Sequence, residues 1–166
     1  MGVSQQDALR LPVVNLAAEY LAMGYLLRRN ILAYKAPPNN EGYDLICIHP
    51  DPKAATKQIR VQVKSRYATD SNAGLPLKSK SLDAFDFLIV AFLNIGYYYS
   101  PKKESRSGLT PACFYTLPNE FVRKHHSRVG KGWEVFQTKN LDLGPYKDEI
   151  GFERIAADLG VPYPVR

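Results

Sequence analysis

The sequence predicts an α/β domain built on one central mixed β-sheet flanked by helices. Three observations carry that expectation. Leu16, Tyr20, Met23 and Leu27 recur at three- and four-residue spacing, the period of one helix face. The segment FDFLIVAFL is almost continuously apolar, as a strand covered on both faces is. Between them, YDLICIHPDPKAATKQIRVQVKSR runs from Tyr43 to Arg66 and sets two apolar arms around a polar, proline-broken centre, the form of a β-hairpin. A helix, then antiparallel strands, then mixed strands and helices make one sheet with helices packed on its faces.

The elements follow in order. A helix is expected from Pro12 to Arg29, with Pro12 suited to a first turn, Arg28 and Arg29 to the negative end of the helix dipole, and Asn30 to the C-cap. ILAYKAP reads as a short strand stopped by Pro37 and Pro38, and PPNNEG as a loop. The hairpin arms lie near Tyr43–His49 and Ile59–Arg66. YATDSNAGLPLKSKS reads as a mobile polar loop, with Gly74 and Pro76 as breakers. FDFLIVAFL is the buried strand, YYYSPKKESRSGLTP a basic excursion, and ACFYTL a further strand. Pro118 opens a helix over PNEFVRKHHSR, and the remainder is irregular until a short helix over Phe152–Leu159.

At 166 residues the chain fits a single domain, residues 1–166, with its core over about 12–118 and a C-terminal extension over 119–166. A formal net charge of +6 favours a polyanionic partner. The apolar stretch from Leu11 to Leu27 contains Asn15 and Glu19 and has no basic n-region before it, so neither a leader nor a membrane span is expected. Cys47 and Cys113 have no zinc-site spacing and read as reduced core thiols of a cytoplasmic protein.

The hairpin raises the functional question, because Asp44, Gln62 and Lys64 occupy positions that a buried strand gives to Val or Ile. Side chains alternate faces along a strand. If the loop from Pro50 to Gln58 closes symmetrically about Ala54, Asp44 lies opposite Lys64 and Ile46 opposite Gln62, so Asp44, Gln62 and Lys64 share one face. Leu45, Cys47, Val61 and Val63 make the other face apolar, while Ile46 and Ile48 sit beside Asp44. Charge on a sheet covered on both sides is costly without further partners. Glu19 is the one charged residue between Leu11 and Leu27, and it borders the expected helix stripe. Packing of the helix on the sheet would bring Glu19 to Asp44, Gln62 and Lys64.

Two carboxylates, an amide oxygen and a lysine suit a hard divalent cation such as Mg²⁺, which takes oxygen ligands and keeps several waters. Asp44 is the expected main ligand, with the Gln62 side-chain oxygen and the Val63 backbone carbonyl beside it. Glu19 would bind a second ion or hold a water on the first. Lys64 would orient the attacking water or stabilise charge on a phosphoryl group.

This pattern resembles the PD-(D/E)xK nuclease superfamily, whose signature is a helix glutamate, an aspartate opening one strand and an acidic-x-Lys triplet on the next. The matching positions are Glu19, Asp44 and Gln62-Val63-Lys64. Tyr43 stands where the signature has proline, and Gln62 where it has an acid. The Gln-x-Lys form resembles Mrr-type restriction enzymes and intron-encoded homing endonucleases of this fold. AAEYLAMGYLLRRNILAYKAP, followed by GYDLICI and IRVQVKSR, is similar to the opening of the latter and of Holliday-junction resolvase-like domains. The resemblance covers roughly the first half and extends to FDFLIVAFL. It implies a restriction-endonuclease-like fold and a Mg²⁺-dependent endodeoxyribonuclease hydrolysing phosphodiester bonds, with Mn²⁺ able to substitute. It also implies a homo-oligomer, a dimer or larger, since duplex cleavage needs two sites.

Positive charge for phosphate contacts is expected from Arg66, from Lys78 and Lys80, from Lys102, Lys103 and Arg106, and from Arg123 and Lys124, continuing to Arg128 and Lys131. Tyr97, Tyr98 and Tyr99 offer stacking faces, although an amphipathic strand or a subunit contact accounts for them as well. His125 and His126 are adjacent and cannot share one helix face, which argues against a two-histidine metal site. Two other readings stand beside the nuclease: a catalytically inactive nucleic-acid-binding module of the same fold, and an RNA- or protein-interaction domain.

Overall fold

The computed structural model describes residues 11–70, 74–97 and 110–163. Helix α1 (Val14–Arg28) leads to β1 (Leu32–Lys35), β2 (Leu45–Ile48) and β3 (Ile59–Arg66). Strands β4 (Gly74–Pro76), β5 (Phe87–Phe92) and β6 (Cys113–Pro118) follow, then α2 (Asn119–His125), β7 (His126–Val129), β8 (Trp133–Gln137) and α3 (Asp148–Leu159). A five-stranded sheet has the order β1-β2-β3-β5-β6, and a three-stranded sheet the order β4-β8-β7. The large sheet is mixed: β3 and β5 are parallel and its other neighbours antiparallel.

Strand parity separates the two cores. Ala33, Leu45, Cys47, Val61, Val63, Ile89 and Phe114 pack under α1 and α3. Leu88, Val90 and Leu117 point the other way, onto Leu75, Leu77, Val122 and Phe136 of the small sheet and α2. Strand β5 is therefore buried on both faces, as its unbroken apolar run requires. Cys47 is buried and Cys113 half-buried, both as free thiols. Burial pushes the Cys47 thiol up to about 12.

Helix α1 contradicts the expected stripe. Its fully buried residues are Ala18, Ala22 and Leu26, whereas Leu16, Tyr20 and Leu27 are exposed and Met23 is half-buried. The helix is apolar nearly all round, so spacing alone does not choose a face. The alanines do, because their small side chains let the helix axis lie close to the sheet. The helix C-cap is Arg29, one residue before the expected Asn30, which follows in the left-handed conformation (φ 63°) while the Ile31 N–H returns to the Leu26 carbonyl at 3.1 Å. Arg28 and Arg29 bind Glu149 in the first turn of α3 and fasten the two helices together. Gly151 is needed where α3 crosses β6, since a Cβ there would collide with the Tyr146 carbonyl.

Other expectations are corrected. The supposed loop after β3 carries β4 and a 3-10 turn over Ser79–Ser81. The helix opened by Pro118 stops at His125, and His126–Val129 is a strand. The segment expected to be irregular contains β8, and α3 begins at Asp148. These short strands make sense only as the second layer over β5, a long-range pairing that local sequence does not announce.

The hairpin register is also corrected. Leu45 pairs with Val61 and Ile46 with Arg60, so Asp44 aligns with Gln62, not Lys64. The loop closes nearer Lys53 than Ala54, because Asp51 organises it. The Asp51 carboxylate accepts from the Lys53 N–H at 2.9 Å, and the Asp51 carbonyl accepts from Ala54 at 3.0 Å. The shift is two residues, so the shared face survives.

Candidate active site

One cleft, of about 290 Å³, is lined by Asn15 and Glu19 of α1, by Gln62, Val63, Lys64, Ser65 and Arg66 of β3, by Leu75 and Pro76 of β4, and by Asp44. It opens where β2 begins and β3 ends. There the strand ends are flanked by α1 on one face and by β4 on the other.

Asp44 is anchored by neutral donors. Its Oδ2 accepts the Gln62 amide at 2.6 Å and the Val63 backbone N–H at 2.7 Å. The Asp44 backbone N–H donates to the Val61 carbonyl at 2.8 Å, which fixes the residue at the head of β2. These contacts settle the orientation of the Gln62 amide: turned over, it would set its oxygen against the carboxylate. Asp44 Oδ1 and Gln62 Oε1 have no hydrogen-bond partner among the described residues, and neither is sealed from solvent.

Burial holds the Asp44 carboxyl above its usual range, against the lowering by the Val63 N–H and by the charges of Lys35 and Lys64. Burial also pushes the Lys64 ammonium down, with Arg66 adding to the effect and Asp44 opposing it. No salt bridge joins Asp44 and Lys64, so they interact through space rather than by direct contact.

Glu19 reaches the cleft, and its carboxylate is ion-paired with Lys35 of β1. Lys35 was not singled out from the sequence, yet the signal was there. It has the parity of Ala33 in β1, the same departure from a core-facing position that marked Lys64. Asn15 and Ser65 were also missed; the Ser65 hydroxyl donates to Asn15 Oδ1 at 2.7 Å and ties β3 to α1. Nothing in Asn15 alone would have marked it, because its partner lies 50 positions away.

The donor set fits a hard divalent cation on one side only. Asp44 Oδ1 and Gln62 Oε1 are free oxygens with one formal negative charge between them, while the charge of Glu19 is neutralised by Lys35 through Oε2. Among the described residues no three of His, Cys, Asp and Glu form a metal-holding group. The side-chain donors are thus two acids and an amide.

The expected basic residues divide. Arg66 lines the cleft and donates to the Gly74 carbonyl. Lys78 lies in an adjoining cavity of about 480 Å³, together with Lys131 and Lys64. Lys80 pairs with Glu41 at 3.3 Å. Arg123 is at the opposite end of the sheet, bonded to Asp83, to Asn119 Oδ1 at 2.6 Å and to the Leu82 carbonyl at 2.8 Å. Lys124 is exposed beside it on α2. Lys102, Lys103, Arg106, Tyr98 and Tyr99 lie outside the described residues. The histidines take separate parts: His125 packs on Phe121 and His126 bonds the Leu77 carbonyl. Among the described residues no helix is long and apolar enough to cross a membrane.

No family model matches the chain, and no curated protein matches it. Among solved structures it is similar to a bacterial homing endonuclease, with 15% identity and a TM-score of 0.52, over 88% of this chain and 91% of that one. It is also similar to Hjc, a Holliday junction resolvase from Archaeoglobus fulgidus, with 12% identity and a TM-score of 0.44, over 91% of this chain and 99% of that one. At such identities the likeness is one of architecture: the central mixed sheet flanked by helices is the restriction-endonuclease-like fold.

Proposed function

We propose that the protein is a metal-dependent DNA endonuclease that hydrolyses phosphodiester bonds, with Mg²⁺ as cofactor and Mn²⁺ as a substitute. The observation that carries this reading is the convergence of Asp44, Gln62, Lys64 and Glu19 in one cleft, with Asp44 Oδ1 and Gln62 Oε1 left open. Asp44 and Gln62 would hold the cation, with the Val63 carbonyl and Glu19 as further donors. Bound there, the cation would supply charge neutralisation at the phosphate and ease deprotonation of water. Asp44 is kept in place by Gln62 and the Val63 N–H. Lys64, half-buried and unpaired, donates to a phosphate oxygen as negative charge builds on it. Arg66 and Lys78 flank this point and support the DNA backbone.

A homo-oligomer is part of the proposal. Leu16, Tyr20 and Leu27 of α1 are 43–52% exposed and fall on one helix face, an apolar stripe that a second copy would cover. The runner-up, an inactive DNA-binding module, draws on the Glu19–Lys35 pair and on the amide at position 62.

The test is plasmid nicking with Mg²⁺ or Mn²⁺ by wild type, Asp44→Ala and Lys64→Ala. Cleavage by wild type alone, with DNA binding retained in Asp44→Ala, is expected. Equal activity in wild type and Asp44→Ala would overturn the assignment, and DNA binding without cleavage by wild type would favour the runner-up.

A further inference from the structure

We propose that the tip of the β7–β8 hairpin is a base-stacking wedge: Trp133 stacks on an unpaired base of the DNA strand whose phosphate lies at Lys64. This deepens the nuclease reading and rests on it, naming the substrate class as DNA with a nucleotide unstacked beside the cut.

Trp133 is 66% exposed, although β8 buries its neighbours Val135 and Phe136. Its cross-strand partner Val129 is 40% exposed. Cross-strand apolar pairs stabilise hairpins by covering each other, and this pair leaves most of the indole in water. The chain reverses through Gly130, Lys131 and Gly132, with φ of 56° and 84° at the two glycines, so the tip is a tight turn that holds Lys131 and Trp133 together. β8 pairs with β4 over Val135–Gln137 and with β7 over Trp133–Phe136, so the tip projects past the end of β4 as a two-stranded ribbon.

The indole opens onto the 480 Å³ cavity, which shares Lys64 and Pro76 with the Asp44 cleft. The two hollows thus form one groove with Lys64 between them. Lys64, Lys78 and Lys131 supply its positive charge. Glu134 also lines it, but its carboxylate is engaged by the Ser79 N–H at 2.9 Å, the Ser79 hydroxyl at 2.5 Å and Arg128 at 3.0 Å. An aromatic face among lysines matches a phosphate followed by a base. In an intact duplex every base face is covered by its neighbours, so the indole can stack only on a base that has left the helix.

Trp133 is the single tryptophan of the chain, so indole emission reports this residue alone. The full chain, in chelator to prevent cleavage, is titrated with end-labelled oligo(dT) and with an abasic oligomer of equal charge. Emission and label anisotropy are read together. Oligo(dT) should quench the indole with the same midpoint as the anisotropy rise, and the abasic oligomer should bind without quenching. Trp133→Ala should weaken oligo(dT) binding by roughly 5- to 150-fold and leave the abasic oligomer nearly unaffected, and Trp133→Phe should restore most of the loss. Binding of oligo(dT) with unchanged emission, or equal weakening of both oligomers, overturns the wedge and leaves the nuclease reading standing. Duplex binding without oligo(dT) binding does the same. If wild type binds no DNA of any form, the wedge and the nuclease reading fall together.

Discussion

Strand β3 carries a polar cluster near each end, both on the same face of the sheet, and the two are wired differently. At one end Arg60 grips Asp86. Its Nη2 donates to Oδ1 at 3.1 Å, while its backbone N–H and Nε donate to Oδ2 at 2.7 and 3.2 Å. Both oxygens are engaged, by a guanidinium fork and an N–H, both side chains are 39% exposed, and the bond to Asp86 raises the Arg60 pKa. At the other end Asp44 is held through one oxygen by an amide and an N–H, and its nearest cations stand off. In the first arrangement the carboxylate charge is neutralised by direct contact through both oxygens. The second is half-satisfied, costly by burial, and open to a ligand. A charge on a strand is therefore informative only once its partner is known: a matched fork marks structure, and neutral donors leave a site.

Cleavage should separate the two ends most sharply. Asp44→Ala is expected to lower nicking by at least about 10²-fold, and Asp86→Ala to leave it close to wild type, in parallel plasmid assays. Comparable losses in both variants would erase the distinction.

A second variant exchanges the wiring. In Gln62→Glu the donor facing Asp44 Oδ2 becomes a second carboxylate. The cation-free protein should lose about 2 kcal/mol of stability through like-charge repulsion, and Mg²⁺ or Ca²⁺ should restore much of it in urea unfolding. Stability unchanged without cation would mean that the Gln62 amide does not hold Asp44.

At the Asp86 end, Arg60→Ala should cost about 1 kcal/mol, the scale of an exposed ion pair, with no dependence on divalent cation. A loss that Mg²⁺ reverses would contradict a purely structural pair.

The smallest effect is with pH. The folded carboxyl of Asp44 titrates above its ordinary 3.8, so the folded state binds this proton more tightly than the unfolded one. The resulting stabilisation is complete below 3.8 and is lost as pH rises through the folded pKa. Urea unfolding of chelator-treated protein should therefore show wild type gaining on Asp44→Asn as pH falls from neutral toward 4. Parallel pH profiles for the two proteins would remove burial as the force on Asp44.

The fold was legible where the signal was local. The unbroken apolar run of β5, the Asn30 stop of α1 and the proline-centred turn between β2 and β3 each state their own conformation. The second sheet was not, because β4, β7 and β8 are only three to five residues long and gain their form from covering Leu88 and Val90. The same division runs through the cleft: Glu19, Asp44, Gln62 and Lys64 stand out along the chain, whereas the pairing of Glu19 with Lys35 exists only once α1 lies on β1.

What the sequence determined by itself is the face that Asp44, Gln62 and Lys64 share, because strand parity is a property of the backbone and survives a two-residue slip. What tertiary structure decided is which atoms meet. The Asp51 turn set Asp44 against Gln62 instead of Lys64. The alanines of α1, by choosing the buried side of an all-round apolar helix, carried Glu19 to the cleft and to Lys35. Alternation acts over two residues and can be read along a chain, whereas packing is a competition among surfaces that meet only when the chain has folded.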